Sequence, residues 1–314
     1  MLKKIFISAV LLIAVLSFII SLLKGNNSSD NSGVQLRSYV AVIDISGTIT
    51  SGTVDDTLLG SQVSSGGSDS IMRQIRAAAD DNNAKALVLR INSPGGSVTA
   101  AEEIGRELTR YKEKTGRPII ASLGDMGASA AYWIAACKSD KIYANASTLT
   151  GSIGVYLPYM NTEELYKKIG LQTDKIKSGI HKDILSPDRP MTPEEKAILQ
   201  NMVNEMYGQF LDVVAQGRKM DRDRVRTLAD GRVYTGRQAK ELGLIDELGN
   251  YYDALTEAGH LTGLGDNPTT KTVEGRSRWR TLLDADLQKW LRFEARELLQ
   301  DKALNTSGLS GPKG

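Results

Sequence analysis

Residues 85–137 read KALVLRINSPGGSVTAAEEIGRELTRYKEKTGRPIIASLGDMGASAAYWIAAC. The run opens on Lys85-Ala-Leu-Val-Leu-Arg-Ile-Asn, a short apolar stretch with the character of a buried strand. Ser93-Pro-Gly-Gly turns the chain, and Val98–Lys114 has the spacing of an amphipathic helix. Pro118-Ile-Ile-Ala-Ser-Leu is a further strand, after which Gly124–Gly127 turns into a helix running from about Ser129 to Cys137. Strands alternating with helices imply parallel pairing through right-handed crossovers.

The alternation extends outward. Tyr39-Val-Ala-Val-Ile-Asp-Ile reads as a strand, and Ser68–Asp81 as a helix with Ile71, Ile75 and Ala78 on one face. Lys141-Ile-Tyr-Ala and Ser152-Ile-Gly-Val-Tyr read as short strands around a Thr-Gly turn, and the Gly/Ser-rich stretch at 60–69 as a loop. Beyond residue 190 the pattern turns helical. Thr192-Pro-Glu-Glu opens a long helix to Arg218, with threonine as cap and proline at the first helical position. Helices near 221–229, 235–242 and 250–260 follow. The expected fold is therefore an α/β core of largely parallel strands and crossover helices, then a C-terminal helical region.

Composition narrows the function. The 314 residues are 41% hydrophobic and 24% charged, with 39 Lys+Arg against 37 Asp+Glu. Lys3, Lys4 and Lys24 flank an N-terminal apolar stretch, so the remainder is close to neutral, which argues against a nucleic-acid platform. Cys137 is the sole cysteine, excluding an intrachain disulfide, and reads as a small core residue on a helix. His181 and His260 are too few for a histidine zinc cluster. Neither His-Glu-x-x-His nor Gly-x-x-x-x-Gly-Lys-Ser/Thr occurs, so no metal, nucleotide or other cofactor is expected.

Residues 5–23 are uncharged and almost wholly apolar. As a helix they would span roughly 28 Å, close to the hydrocarbon core of a bilayer. A cleavable signal peptide has a shorter apolar region and a small-residue cleavage site, whereas Lys24-Gly-Asn-Asn comes next here. An uncleaved transmembrane signal anchor at 1–24 is expected. Lys3, Lys4 and the amino terminus would keep the N-terminus cytoplasmic and the rest of the chain extracytoplasmic. Residues 25–37 read as a flexible tether, 38–265 as the main domain, and 266–314 as an amphipathic helix and flexible tail. In that tail Trp279, Leu282, Leu283, Leu287, Trp290 and Leu291 share a helical face.

Ser129 lies among small residues at the strand-to-helix turn, a place where a hydroxyl nucleophile can be presented; an N-cap serine is the plain alternative. A nucleophilic hydroxyl needs a base, and with two histidines in the chain a lysine is the better candidate. Five ordered motifs extend this reading: Ser93-Pro-Gly-Gly, Gly127-Ala-Ser-Ala-Ala-Tyr, Leu149-Thr-Gly-Ser-Ile-Gly-Val, Lys177-Ser-Gly-Ile-His-Lys-Asp-Ile and Asp230-Gly-Arg-Val-Tyr-Thr-Gly. Together they resemble the bacterial signal peptide peptidases of the SppA kind, in the short single-domain form. These are serine-lysine proteases of the Clp protease/crotonase superfamily. The resemblance covers about residues 38–260 and departs at Ala130 and Ala131, where the family often has Gly-Gly.

The resemblance implies Ser129 as nucleophile, Lys182 as general base with Lys177 as its rival, and Ser152 as the serine orienting the amine. It further implies that the amides of the Gly95-Gly96 turn form the oxyanion site. An ordinary lysine, with a pKa near 10.4, is neutral only about once in 2,500 molecules at pH 7, so the base should be desolvated. The implied activity is ATP-independent endopeptidase action on signal peptides left in the membrane, by a ring-like homo-oligomer. A crotonase-type acyl-CoA enzyme and a non-catalytic anchored ring scaffold are the alternatives.

Overall fold

A computed structural model describes residues 38–52 and 66–273. The expected membrane anchor, the tether and the tail helix lie outside the described residues. Among those described, no helix is long and apolar enough to cross a membrane.

The centre of the fold is a parallel sheet of β1 (Tyr39–Ser46), β2 (Ala84–Ser93) and β3 (Ile119–Ala128). Their registers run Ala41↔Leu87, Ile43↔Leu89 and Ile45↔Ile91, then Leu87↔Ile119 and Leu89↔Ala121. The strands are apolar on both faces because both are covered. Ala41, Ile43, Ile45, Leu87 and Leu89 face α1 (Ser68–Asp80), α2 (Val98–Thr115) and α3 (Ala130–Lys138). Val40, Val42, Ala86, Val88 and Ile120 face the opposite way, onto Ala254, Leu255 and Ala258. Each fully buried Ile, Leu or Val contributes roughly 1.5–3 kcal/mol.

One irregularity in this sheet sets up the rest of the molecule. Leu123 pairs with Ile91, but the next pair is Gly127 with Ser93, so β3 carries extra residues against β2. Asn92 fastens the bulge: its Oδ1 accepts the Met126 N–H at 3.1 Å, and a Cβ at Gly124 would crowd the Asn92 side chain at 3.2 Å. A bulge bends its strand and re-aims the residues beyond it. Before it, Ile120–Leu123 pairs with β4 (Lys141–Ala144), which in turn pairs with β7 (Glu247–Leu248). After it, Met126–Ala128 pairs with β5 (Leu149–Gly151), and β5 pairs antiparallel with β6 (Val233–Thr235).

Two strand readings are corrected by these pairings. β3 continues through Gly124–Gly127, where the sequence suggested a turn, and the second short strand is 149–151 rather than 152–156. Glycines give no apolar period; the main-chain pairing is reinforced by threonine hydroxyls, Thr148 Oγ1 donating to the Gly124 carbonyl at 2.6 Å and Thr150 Oγ1 to that of Gly127 at 2.7 Å. A third difference lies at β8 (Thr270–Thr272), which pairs parallel with β1 inside the segment read as helix and tail. Its residues are polar and exposed, so only main-chain bonding marks it as a strand.

The helical region obeys its signals closely. After the short α4 (Glu163–Lys168), α5 spans Pro193–Arg218 behind a Thr192–Glu195 capping box. α6 (Arg222–Leu228), α7 (Gly236–Leu242) and α8 (Tyr251–Thr262) complete the described helices. α5 clamps α3: the Trp133 and Phe210 rings are 5.0 Å apart, and a Cβ at Gly217 would collide with the Ala136 carbonyl at 1.7 Å. Arg218 adds a bidentate bond to Asp246 at 2.7 and 2.9 Å. Cys137 sits within this packing, its thiol pushed up to about 12 by burial, which removes it from nucleophilic chemistry.

Candidate active site

The turn between β3 and α3 is a single residue, Ser129. Its backbone holds φ 54° and ψ −126°, a conformation a non-glycine residue rarely adopts. Two main-chain bonds fix it there: its N–H donates to the Gly151 carbonyl at 2.9 Å, and its own carbonyl accepts from Trp133 N–H at 2.9 Å. Ser129 occupies the N-cap position of α3, but its hydroxyl makes no capping bond. A half-buried hydroxyl is thus presented on strained backbone, ahead of a helix buried on nearly every side. Ala130 and Ala131 are themselves buried, their methyls part of that packing.

The Gly95-Gly96 turn lies directly against it. A Cβ on Gly95 would stand 2.7 Å from the Ser129 Cβ and 2.8 Å from the Ala128 carbonyl. One on Gly96 would meet the Ile49 carbonyl at 2.1 Å, and their φ values of 103° and 152° suit glycine alone. The Gly95 N–H is already given to Ser93 Oγ at 3.1 Å. The Gly96 N–H takes no acceptor among the described residues, and neither does that of Ala130, in the first turn of α3. From the sequence Ala130 was noted only as a departure from the family's Gly-Gly, and its amide was not considered, although its position immediately after the serine was the available signal.

Ser152 is brought to the same place. Ala128 pairs with Gly151, which sets Ser152 at the strand end beside Ser129, half-buried, with φ 50° and its N–H bonded to the Arg232 carbonyl at 2.8 Å. The Asp230-Gly-Arg-Val-Tyr-Thr-Gly motif buttresses this end. The Tyr234 ring lies where a Gly151 Cβ would be, at 2.6 Å, and Thr235 caps α7.

The lysines behave differently. Lys182 is exposed and has neither hydrogen bond nor ion pair from its side chain among the described residues, which therefore do not supply the desolvation expected of a base. Lys177 is engaged, bonding Asp183 at 2.6 Å and the Ile180 carbonyl at 3.3 Å. Both sit on an arm, residues 155–191, with polar ties within itself and a link from Arg189 to Glu195 of α5. Tyr159 OH donates to the Arg189 carbonyl, Thr162 N–H to that of Pro187, and Lys175 pairs with Asp188. Its apolar side chains are left in the open: Tyr156, Met160, Leu165, Ile169, Ile176 and Ile180 are all exposed. The structure thus gathers Ser129, Gly95, Gly96 and Ser152, and leaves Lys182 on an exposed arm. His181 lies 3.5 Å from Glu194, and His260 bonds Asp266 near the end of α8.

The sequence of this chain matches known proteins. The Clp protease family model matches residues 45–152 and that of peptidase family S49 matches residues 111–265. A "Putative protease" of Synechocystis sp. is 38% identical over 274 residues, covering 82% of this chain and 92% of that protein. Protease 4 of Haemophilus influenzae is 34% identical over 273 residues, 87% of this chain but 42% of its own length. A "Putative signal peptide peptidase SppA" of Enterococcus faecium is 41% identical over 184 residues, 59% of this chain and 53% of its own. A Clp protease-like α/β core with a serine at its strand-to-helix turn defines a class of hydrolase, and within it the similarity is that of a serine protease of the SppA type. The chain belongs to peptidase family S49.

Proposed function

We propose that this chain is a membrane-anchored, ATP-independent serine endopeptidase with Ser129 as nucleophile and Lys182 as general base. The observation that carries the proposal is the Ser129 hydroxyl, uncapped and held on strained backbone beside two amides with no acceptor among the described residues. In the proposed reaction the neutral Lys182 amine takes the Oγ proton as Oγ attacks the scissile carbonyl carbon. The Gly96 and Ala130 N–H groups receive the developing oxyanion, while Gly95 serves by letting its turn approach the serine. Collapse passes the lysine's proton to the departing amine and leaves an acyl-Ser129. Water, deprotonated by the same lysine, then releases the peptide acid. Ser152 orients the amine.

Lys182 is exposed on its own chain, so the desolvation it needs is proposed to come from a second copy. The exposed apolar side chains of the arm suit burial in a ring-like homo-oligomer, which would bring the lysine of one chain to the serine of its neighbour. The apolar segment 5–23 supports a signal anchor, with the catalytic domain extracytoplasmic. Signal peptides left in the membrane after release from preproteins are the proposed substrates; their apolar character and the name of the Enterococcus relative support this. A fluorophosphonate probe should label the full-length protein in detergent, at Ser129 by peptide mapping. Absence of labelling in protein that cleaves peptide would overturn the assignment.

A further inference from the structure

We propose that Arg189 is a positioning residue for Lys182, tying the loop that carries the lysine to the first turn of α5 through Asp183 and Glu195. This rests on Lys182 being the general base, as proposed above.

The loop needs an external tie. Lys182 stands within consecutive tight turns: its N–H donates to the Gly179 carbonyl at 3.1 Å, Ile184 N–H to that of His181 at 3.1 Å, and Ser186 N–H to that of Asp183 at 3.0 Å. Leu185 holds φ 70°, a left-handed conformation unfavourable for a non-glycine residue. α4, the helix of the same arm, buries no residue. Apolar packing within the arm therefore supplies little to hold this tip in one shape.

Arg189 supplies what packing does not. Its Nε and Nη2 donate to the two Asp183 carboxylate oxygens, each at 2.9 Å, and Nη2 also reaches the Asp183 carbonyl at 3.3 Å. The far side of the guanidinium donates to both Glu195 oxygens, at 2.8 and 2.5 Å, and Nη1 to the Pro190 carbonyl at 3.0 Å. A planar fork can bridge two carboxylates in this way; an ammonium cannot. Glu195 is buried and doubly fixed by its capping box, accepting the Thr192 N–H at 2.9 Å. α5 is fixed in turn to α3, which begins immediately after Ser129. Rigid structure thus extends from the proposed nucleophile to Asp183, one residue from Lys182. Lys177 closes the other side of Asp183 and is consumed as a structural cation.

Glu195 is buried, so cutting the tie should lower stability as well as catalysis, and kcat is therefore read on protein held below its melting temperature. In full-length Arg189→Ala, kcat is expected to fall about 10²-fold, as for a reacting group misplaced by about 1 Å. KM should stay within about twofold, and the rising limb of the pH–kcat profile should move upward as the amine becomes more hydrated. Added guanidinium at non-denaturing concentration should restore part of kcat, and Arg189→Lys should not. A folded Arg189→Ala with wild-type kcat and pH profile, or one with only a lowered Tm, overturns the proposal. If Arg189→Ala does not fold, Asp183→Asn cuts the same tie and is judged by the same criteria. Lys182→Ala is measured alongside. An inactive Lys182→Ala beside a normal Arg189→Ala keeps the base and removes the tie, whereas wild-type turnover in Lys182→Ala removes both.

Discussion

At Ser129 the chain accepts an unfavourable backbone conformation and then leaves the hydroxyl without a capping role. Strain of this kind persists only where the surroundings over-determine it, and here the β3–β5 pairing on one side and the α3–α5 clamp on the other do so. Ser129→Ala is expected to lower peptide hydrolysis by at least about 10³-fold, while Tm stays within a few degrees because the methyl keeps the same backbone. Turnover within about tenfold of wild type, in a folded mutant, would remove Ser129 as nucleophile. Gly95→Ala is a sharper geometric test. Its new methyl would sit 2.7 Å from the Ser129 Cβ, at a φ of 103° that alanine tolerates poorly. Fluorophosphonate labelling should drop at least about 10²-fold, the scale of a lost oxyanion donor. Unchanged labelling would mean the two turns are not as close as their backbones place them.

Between residue and molecule, the arm and α5 govern how the proposed base is held. The Arg189 guanidinium beside Glu195, together with the Thr192 N–H, depresses that carboxyl from 4.5 to about 2. A depressed folded-state pKa adds stability that is fully present above about 4.5 and is lost as pH falls towards 2. Glu195→Gln should therefore be less stable than wild type at neutral pH, yet lose less Tm between pH 5 and 2. Parallel melting curves for the two proteins across that range would contradict it. Arg189 likewise holds Asp183 well below the usual carboxylate range, so the tie stays charged wherever a lysine titrates. A rate that rises with pH above neutrality would then report the base itself. How legible these elements were depended on what marked them. α5 was legible because threonine, proline and two glutamates announce its start, and β1 and β2 because apolar residues fill both faces. The path of β3 beyond Leu123, the placing of β5 and all of β8 were not, since glycines, threonine hydroxyls and main-chain pairing leave no apolar period. Ser129, Gly95, Gly96 and Ser152 were legible as motifs. Which amides remain unengaged was decided by Ser93 Oγ, whose capture of the Gly95 N–H no spacing could reveal.

For the whole molecule the decisive fact is the separation of tasks along one chain. The Ser129 turn is enclosed between β3, β5 and the α3–α5 pair, while Lys182 is exposed on an arm with an apolar outer surface. An exposed lysine cannot serve as base near neutral pH, and an exposed apolar surface of this extent calls for a partner. A second copy answers both needs if one chain's arm covers its neighbour's serine. The contact would then be heterologous, head to tail, and closes into a ring where the rotation between copies allows. Such a ring has a quantitative signature. Ser129→Ala and Lys182→Ala chains are each inactive alone, but in a mixed ring a site works where an intact serine meets an intact lysine from next door. Random co-assembly at equal proportions should restore about a quarter of the sites, and activity plotted against mixing ratio should peak there and fall to zero at either end. Subunits would be exchanged by co-expression and co-assembly verified by two affinity tags before activity is read. If co-assembled mixtures remain inactive at every ratio, or wild-type monomer retains full turnover at nanomolar concentration, each chain must complete its own site and the arm must fold back onto its own serine.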